Sequence, residues 1–391
     1  MRGYERMPEP LAWCVERTRR VLAPLAELRV PVVWYTGKTP GGLWMRVLAA
    51  GDGQATHYFL GRIFADKPTR TLHGSALLAS LPRLLPKLRG DADLTIAEMD
   101  RIAAQFLFSS DYLRVPSWVT TSLPVPDDME AAASRSSSTR SDLKLVRENG
   151  LRIEESHRRD DFRSFYYGMY LPFLQQRHGQ QTILRPERNM RRSFRDGGLL
   201  WILQGNQRMA GAIYDLRKNV MTVVCFGTPG GDYEPVRQGA LAALYLQSAK
   251  HAKALGCTTL NFGLTRACAR DGVLRYKRKW GARFAASPRM RVELLMRWER
   301  LGPCIEEFLT HSPLLFRQGR GLSLLAASPE HAPGRLRDQL WINGIDRLHV
   351  IGRPPESDGP LPGDVVLGDP LHRSPSAEPD RHIARWHPQP I

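Results

Sequence analysis

The sequence predicts a mixed α/β (α+β) chain of two units, each a mostly antiparallel mixed sheet flanked by helices, and three observations carry that prediction. Short runs rich in β-branched and aromatic residues alternate, in both halves, with segments whose apolar residues recur at helical spacing. A length of 391 residues with 42% hydrophobic content suffices for two domains with separate cores. Finally, Ala131 to Ser141 is a small, polar, low-complexity stretch that reads as a connector. The expected division is therefore a first unit over 1–130, a connector over 131–150, a second unit over 151–327 and a partly disordered extension over 328–391.

In the first unit a helix is expected over Leu11 to Leu28, followed by the strand Val30 to Tyr35. Leu43 to Ala49 and His57 to Phe64 have strand character on either side of Gly51-Asp52-Gly53, which predicts a hairpin. Ser75 to Leu88 carries leucines at helical spacing interrupted by Pro82 and Pro86, hence two short helical pieces. Leu94 to Met99 reads as a strand and Asp100 to Phe108 as a short helix. After the connector, Asp142 is placed to cap a helix from Leu143 to Glu148 that ends at Asn149-Gly150.

The second unit opens with the strand Leu151 to Glu155 and an aromatic-striped helix from Asp160 to Arg177. A basic helix from Pro186 to Arg195 precedes three strands, Gly198 to Leu203, Met209 to Leu216 and Val220 to Phe226, whose short turns predict a meander. A glycine-rich loop, Gly227 to Gly231, leads into a long amphipathic helix from Val236 to Leu255, closed by Gly256. The strand Thr258 to Phe262, a helix stopped by Gly281 and a last strand from Met290 to Trp298 complete the unit. Beyond Ala327 the chain is rich in proline, histidine and charge. A short strand is expected within Leu340 to Gly352 and a mobile tail from Pro354 onward.

Charge narrows the function classes without choosing one. The formal charge of +17 and pI near 10.1 suit nucleic acid, an anionic membrane surface or a phosphorylated ligand. No apolar run is long enough to span a membrane and no secretory leader is recognisable, so a soluble cytoplasmic protein is expected. The five cysteines lack a Cys-x-x-Cys pair, which argues for reduced thiols rather than disulfides or structural zinc. No His/Asp/Glu pair has metal-ligand spacing, so no metal and no tightly bound cofactor is expected.

Basic residues concentrate between Arg266 and Arg283, where seven bases, among them Arg278, face the single acid Asp271. That stretch is either a solvated basic helix or a site for a polyanion. The order of elements in 151–298, with Gly211, Ala254-Leu255-Gly256, Leu260-Asn261-Phe262-Gly263 and above all Tyr276-Lys277-Arg278-Lys279-Trp280-Gly281, resembles the FemAB branch of the GNAT acyltransferase fold. That branch joins two GNAT-like units and carries an aromatic-Lys-x-x-aromatic-Gly signature near the end of the second. Tyr112 to Val119 is similar to its segment before the inter-unit connector.

The resemblance implies transfer of an aminoacyl or acyl group to an amine acceptor, forming an amide. The donor is aminoacyl-tRNA or acyl-CoA. The acyl-CoA pyrophosphate loop, Arg/Gln-x-x-Gly-x-Gly/Ala, is not met around Gly239, which has Val236 three residues before and Leu241 two after. The broken loop and the basic charge favour tRNA as partner, with Arg237, Gln238, Gly239 and Arg278 as candidate donor-phosphate residues. By the resemblance Lys277 is catalytic, stabilising the oxyanion or neutralising donor phosphate, flanked by Tyr276 and Trp280 against water. Asp271 either caps the helix, orients Arg266 or accepts a proton. Arg266, Tyr170, Arg177 and His178 complete the candidate substrate set, against a purely structural role for each. Cys268 as a nucleophile has no histidine near it in sequence. Two other functions stay open: an acyl-CoA-dependent N-acyltransferase, and a non-catalytic module that binds nucleic acid or another anion.

Overall fold

The computed structural model describes residues 29–134, 136–178, 185–288, 290–328, 333–352 and 363–371. The helix expected over Leu11 to Leu28 lies outside them, as does most of the tail expected from Pro354. In the first lobe, β1 (Arg29–Lys38) pairs antiparallel with β2 (Trp44–Ala50) and with the edge strand β3 (Thr69–Leu77). Between them α1 (Gln54–Ile63) replaces the strand expected at His57 to Phe64. Its buried residues, Ala55, Thr56, Phe59, Leu60 and Ile63, follow a helical period that the aromatic and β-branched content of the segment obscured. The hairpin expected there does not form; β2 instead pairs parallel with β4 (Leu94–Asp100). Ser75 to Leu88, expected as two helical pieces, is the end of β3, a 3₁₀ turn and α2 (Leu81–Leu88), which tolerates Pro82 in its first turn and Pro86 inside. The helix α3 (Arg101–Leu107), capped by the Asp100 carboxylate, leads to β5 (Leu113–Pro116) and β6 (Val119–Pro124).

The expected connector is largely helical: α4 (Met129–Ala133) and α5 (Ser137–Glu148). Thr139, Leu143 and Val146 form the buried stripe of α5, so Asp142 lies within the helix rather than at its start. The sheet of the second lobe contains β7 (Leu151–Ser156), β8 (Gly197–Gln204), β9 (Gln207–Arg217), β10 (Val220–Gly227) and β11 (Thr259–Thr265). All pair antiparallel in sequence order except β10 and β11, which run parallel. Between β7 and β8 come α6 (Arg159–Phe165), one π-helical turn (Tyr166–Tyr170), α7 (Leu171–His178) and α8 (Glu187–Asp196). The helix expected over Val236 to Leu255 is broken into α9 (Glu234–Arg237) and α10 (Ala240–Ala254) by Gly239 at φ +97°. A β-carbon at Gly239 would lie 3.1 Å from Leu145 Cβ, so α5 passes close by. Then α11 (Gly272–Lys279) and β12 (Arg283–Ala286) follow β11.

The lobes exchange strands across the expected boundary. The strand β13 (Val292–Arg297) lies in the first sheet, whose order is β3-β1-β2-β4-β13-β5. In return β6 enters the second, β12-β6-β11-β10-β9-β8-β7. A third sheet follows α12 (Pro303–His311): β14 (Leu314–Gln318), β15 (Gly321–Ala327), β16 (Leu348–Ile351) and β17 (Val365–Leu367), with α13 (Pro333–Leu340) between β15 and β16. Part of the expected tail is thus an ordered strand, and Trp298 Nε1 donates to Asp369 at 2.7 Å.

Candidate functional site

The site is built where two parallel strands part. β10 and β11 pair only from Val220–Thr259 to Thr222–Asn261. Beyond that, β10 shifts register against β9 between Val223 and Cys225, and β11 shifts against β6 between Asn261 and Leu264. Gly263 makes the second irregularity at φ +74°, a backbone state that costs an L-residue about 1–2 kcal/mol. Asn261 Oδ1 accepts from Gly263 N at 2.7 Å, and Gly263 O accepts from Thr121 Oγ1 at 2.9 Å, which fixes the bend. A cavity of about 660 Å³ opens in the splay. Tyr170, Phe173, Phe226, Tyr245, Phe262 and Tyr276 give it aromatic walls, and its charged lining groups are Arg185, Asp271 and Lys277.

Lys277 projects from α11 into this cavity and is 3% exposed. Its Nζ donates to Leu264 O at 2.9 Å, the carbonyl just past the bend in β11. Among the described residues no carboxylate pairs with it, and burial pushes its pKa down to about 7 against the weaker opposing field of Asp271. An amine in that state exchanges protons near neutrality, where general acid–base catalysis is most effective.

Asp271 is the N-cap of the same helix. Its Oδ1 accepts from Val273 N at 2.9 Å, Leu274 N at 3.2 Å and Thr265 Oγ1 at 3.3 Å, while Oδ2 accepts from Tyr58 OH at 2.9 Å. Arg62 Nε donates to that Tyr58 oxygen at 2.8 Å. Thus α1 of the first lobe grips the start of the helix that carries Lys277. Arg266 stacks on Trp118 at 3.8 Å and on Tyr58 at 5.1 Å, and donates to Ser117 O at 3.4 Å. Burial lowers its pKa below the usual guanidinium range. At the far end of α11, Tyr276 OH donates to Asp142 at 3.2 Å and Lys279 Nζ pairs with the same carboxylate at 2.6 Å.

The opposite wall comes from the π turn. Tyr170 OH accepts from Arg185 N at 3.4 Å, and burial, with the nearby Cys225, pushes its pKa up to about 12. The turn packs so closely on the end of β10 that a β-carbon on Gly227 would lie 2.8 Å from Met169 C and Tyr170 N. Gly231 at φ +82° makes the same kind of approach to Pro172. The glycine-rich loop therefore serves backbone packing.

Of the residues singled out from sequence, Lys277, Asp271, Tyr276 and Tyr170 line one cavity. Arg266 is set back, stacked on aromatics, and Trp280 is buried behind the wall at 5.5 Å from the Tyr245 ring. Arg237 is exposed, pairs with Glu234 at 3.4 Å and lies over Tyr233; the Gln238 side chain also turns to Glu234. Gly239 serves the close pass of α5. Arg278 donates to Gln339 O at 2.5 Å, toward the third sheet, because the residue after Lys277 leaves the helix about 100° away. The side chains of Arg177 and His178, at the end of α7, lie outside the described residues. Cys268 is fully buried and its thiol pKa is raised by burial, which suits a structural thiol. Sequence reasoning missed Tyr58 and Arg62, whose contacts with Asp271 span more than two hundred residues, Phe173, Tyr245 and Phe262, whose only signal was helix or strand periodicity, and Arg185, which lies ahead of α8 and outside any periodic element.

Among the described residues no group of three or more His, Cys, Asp or Glu is placed to hold a metal ion, and no helix is long and apolar enough to cross a membrane. No family model and no curated protein matches the chain. Among solved structures it is similar to FemX, at 12% identity over 67% of this chain and 88% of that one, with a TM-score of 0.37. It is also similar to L-PGS from Bacillus licheniformis (11% identity, 71% and 88% coverage, TM-score 0.34). A GCN5-related N-acetyltransferase from Sphaerobacter thermophilus is a third (12%, 66% and 74%, 0.31). At these scores the chemistry has to be read from the site's own residues.

Proposed function

We propose that the protein is a transferase that moves an aminoacyl group from the 3′ end of a transfer RNA to an amine acceptor. The observation that carries this reading is the buried Lys277, without a paired carboxylate among the described residues, at the cavity in the β10–β11 splay. Its order of aromatic, lysine, aromatic and glycine gives the resemblance to the FemAB branch. In the proposed reaction the acceptor nitrogen attacks the ester carbonyl. The new C–N bond forms, and Lys277 Nζ, neutral in a large fraction of molecules at pH 7, takes the proton from nitrogen. The C–O bond then breaks and Lys277 returns the proton to the departing 3′ oxygen. A depressed pKa suits this shuttle better than the fixed positive charge expected from sequence. Leu264 O holds the amine in place, and the aromatic walls exclude water.

The RNA donor draws support from the net charge of +17 and from Arg237 and Gln238, which face Glu234 instead of converging on an anion site at the start of α10. The test is incubation with a charged transfer RNA pool and, separately, a panel of acyl-CoA donors, scoring deacylation and mass gain on candidate amines. Consumption of charged RNA that is lost in Lys277→Ala is the expected result. Consumption of acyl-CoA alone would replace the donor. If neither donor is consumed and Lys277→Ala leaves cellular function intact, a non-catalytic binding module takes the reading's place.

A further inference from the structure

A second concavity, of about 830 Å³, lies along α8. Arg188, Arg191, Arg192 and Arg195 of that helix line it with Arg159 and His157, over Phe162 and Phe194; Glu187 is the one carboxylate in the lining. Glu187 is already engaged, by Tyr167 OH at 2.6 Å and Arg191 Nε at 2.9 Å, and Asp196 pairs with Arg192 at 3.7 Å and Arg195 at 3.4 Å. Glu155 lies 3.1 Å from His157, so five arginines face three nearby acids; the trough stays positive, and Arg159, Arg191, Arg192 and Arg195 are exposed. The guanidinium fork matches phosphate oxygens in a way an ammonium does not.

A row of packed, buried rings runs from the trough to the cavity. Phe162 and Tyr166 stack at 5.8 Å, and Tyr166 and Tyr170 follow at 5.6 Å. Phe162 lines the trough and Tyr170 lines the cavity. Tyr166 OH donates to Arg185 O, and Tyr170 OH accepts from Arg185 N, which places the cavity residue Arg185 just ahead of α8. Eight residues of helix advance about 12 Å, the axial rise of three to four stacked nucleotides at about 3.4 Å each. The lining rings Phe162 and Phe194 are buried, and the exposed Tyr167 beside them holds its hydroxyl on Glu187, so the trough's own lining offers no aromatic wedge to a lipid surface.

We propose that the arginine trough along α8 binds the phosphodiester backbone of the donor RNA, so that its 3′ end runs past Arg185 into the cavity. This rests on the aminoacyl-RNA reading above. Arg159→Gln/Arg192→Gln/Arg195→Gln and its all-lysine counterpart are titrated with a deacylated transfer RNA pool over a salt series, and with phosphatidylglycerol vesicles. At fixed salt the glutamine variant is expected to bind RNA at least about tenfold more weakly. Its salt slope flattens by about 2, at roughly 0.7 per single-strand phosphate contact. The lysine variant keeps most of the slope, and an unchanged unfolding midpoint shows that all three proteins are folded. Equal affinity and slope for wild type and glutamine variant overturn the trough while leaving the RNA donor standing. A wild type that ignores RNA and consumes acyl-CoA overturns both. Loss of vesicle binding with RNA binding intact assigns the trough to a membrane and overturns the proposal.

Discussion

Lys277 is both the centre of the proposed site and a cost to the fold. Its pKa is about 7 in the folded chain against an ordinary 10.5, so between those pH values the unfolded chain binds the proton that the folded chain has lost. Stability therefore rises with pH across that window, by an amount on the order of 5 kcal/mol for this group, and below pH 7 the full penalty of the buried charge is felt. Lys277→Met is expected to raise the unfolding free energy at pH 7 in urea titrations while lowering transfer at least about 100-fold. Wild-type kcat/KM should climb with pH through about 7, and the residual activity of Lys277→Met should not. A rate that falls through that range would mean that the charged ammonium is the working form. The lysine was legible in the sequence from its neighbours at Tyr276 and Trp280. Its state was not, because the missing counter-charge and the grip of Tyr58 and Arg62 on Asp271 depend on residues brought from another lobe.

Among the elements, the π turn and the end of β10 set the width of the cavity. Gly227→Ala would drive a methyl group into the backbone of Met169 and Tyr170, and overpacking of that kind costs about 1–3 kcal/mol. It should lower the unfolding midpoint and also raise KM for the acceptor, as Tyr170 shifts. Gly61→Ala, in α1 with open space around its position, should by comparison leave KM unchanged and raise the midpoint slightly, since alanine favours the helix. The strands β8, β9 and β10 were legible because short turns separate them and their lengths suit a meander. The helix α1 was not, since its aromatic and β-branched residues satisfy a strand pattern until Thr56, Phe59, Leu60 and Ile63 are seen to share a buried face. Polar low complexity hid only the first half of α5, since the helix expected over Leu143 to Glu148 is its second half; the stripe of Thr139, Leu143 and Val146 is too sparse to mark the earlier start.

For the whole molecule the decisive fact is the exchange of β6 and β13 between sheets. The fragment 151–327, the unit expected from sequence, lacks β6, which lies between β11 and β12, and strands its β13 without partners. It is expected to aggregate or to unfold without cooperativity, as calorimetry and size-exclusion chromatography would show; a monomeric fragment with a sharp transition would contradict this. Composition marked a boundary near Ala131, but pairing between strands so far apart leaves no local trace in sequence. The position of β13, inserted between β4 and β5, also bears on synthesis. As the chain leaves the ribosome, β5 has emerged roughly 180 residues before β13, an interval on the order of 10–40 s at ordinary elongation rates. Throughout it the first sheet is divided, with the facing edges of β4 and β5 bare to other nascent chains, so the dependence of yield on holdase chaperones should be set by this one late strand.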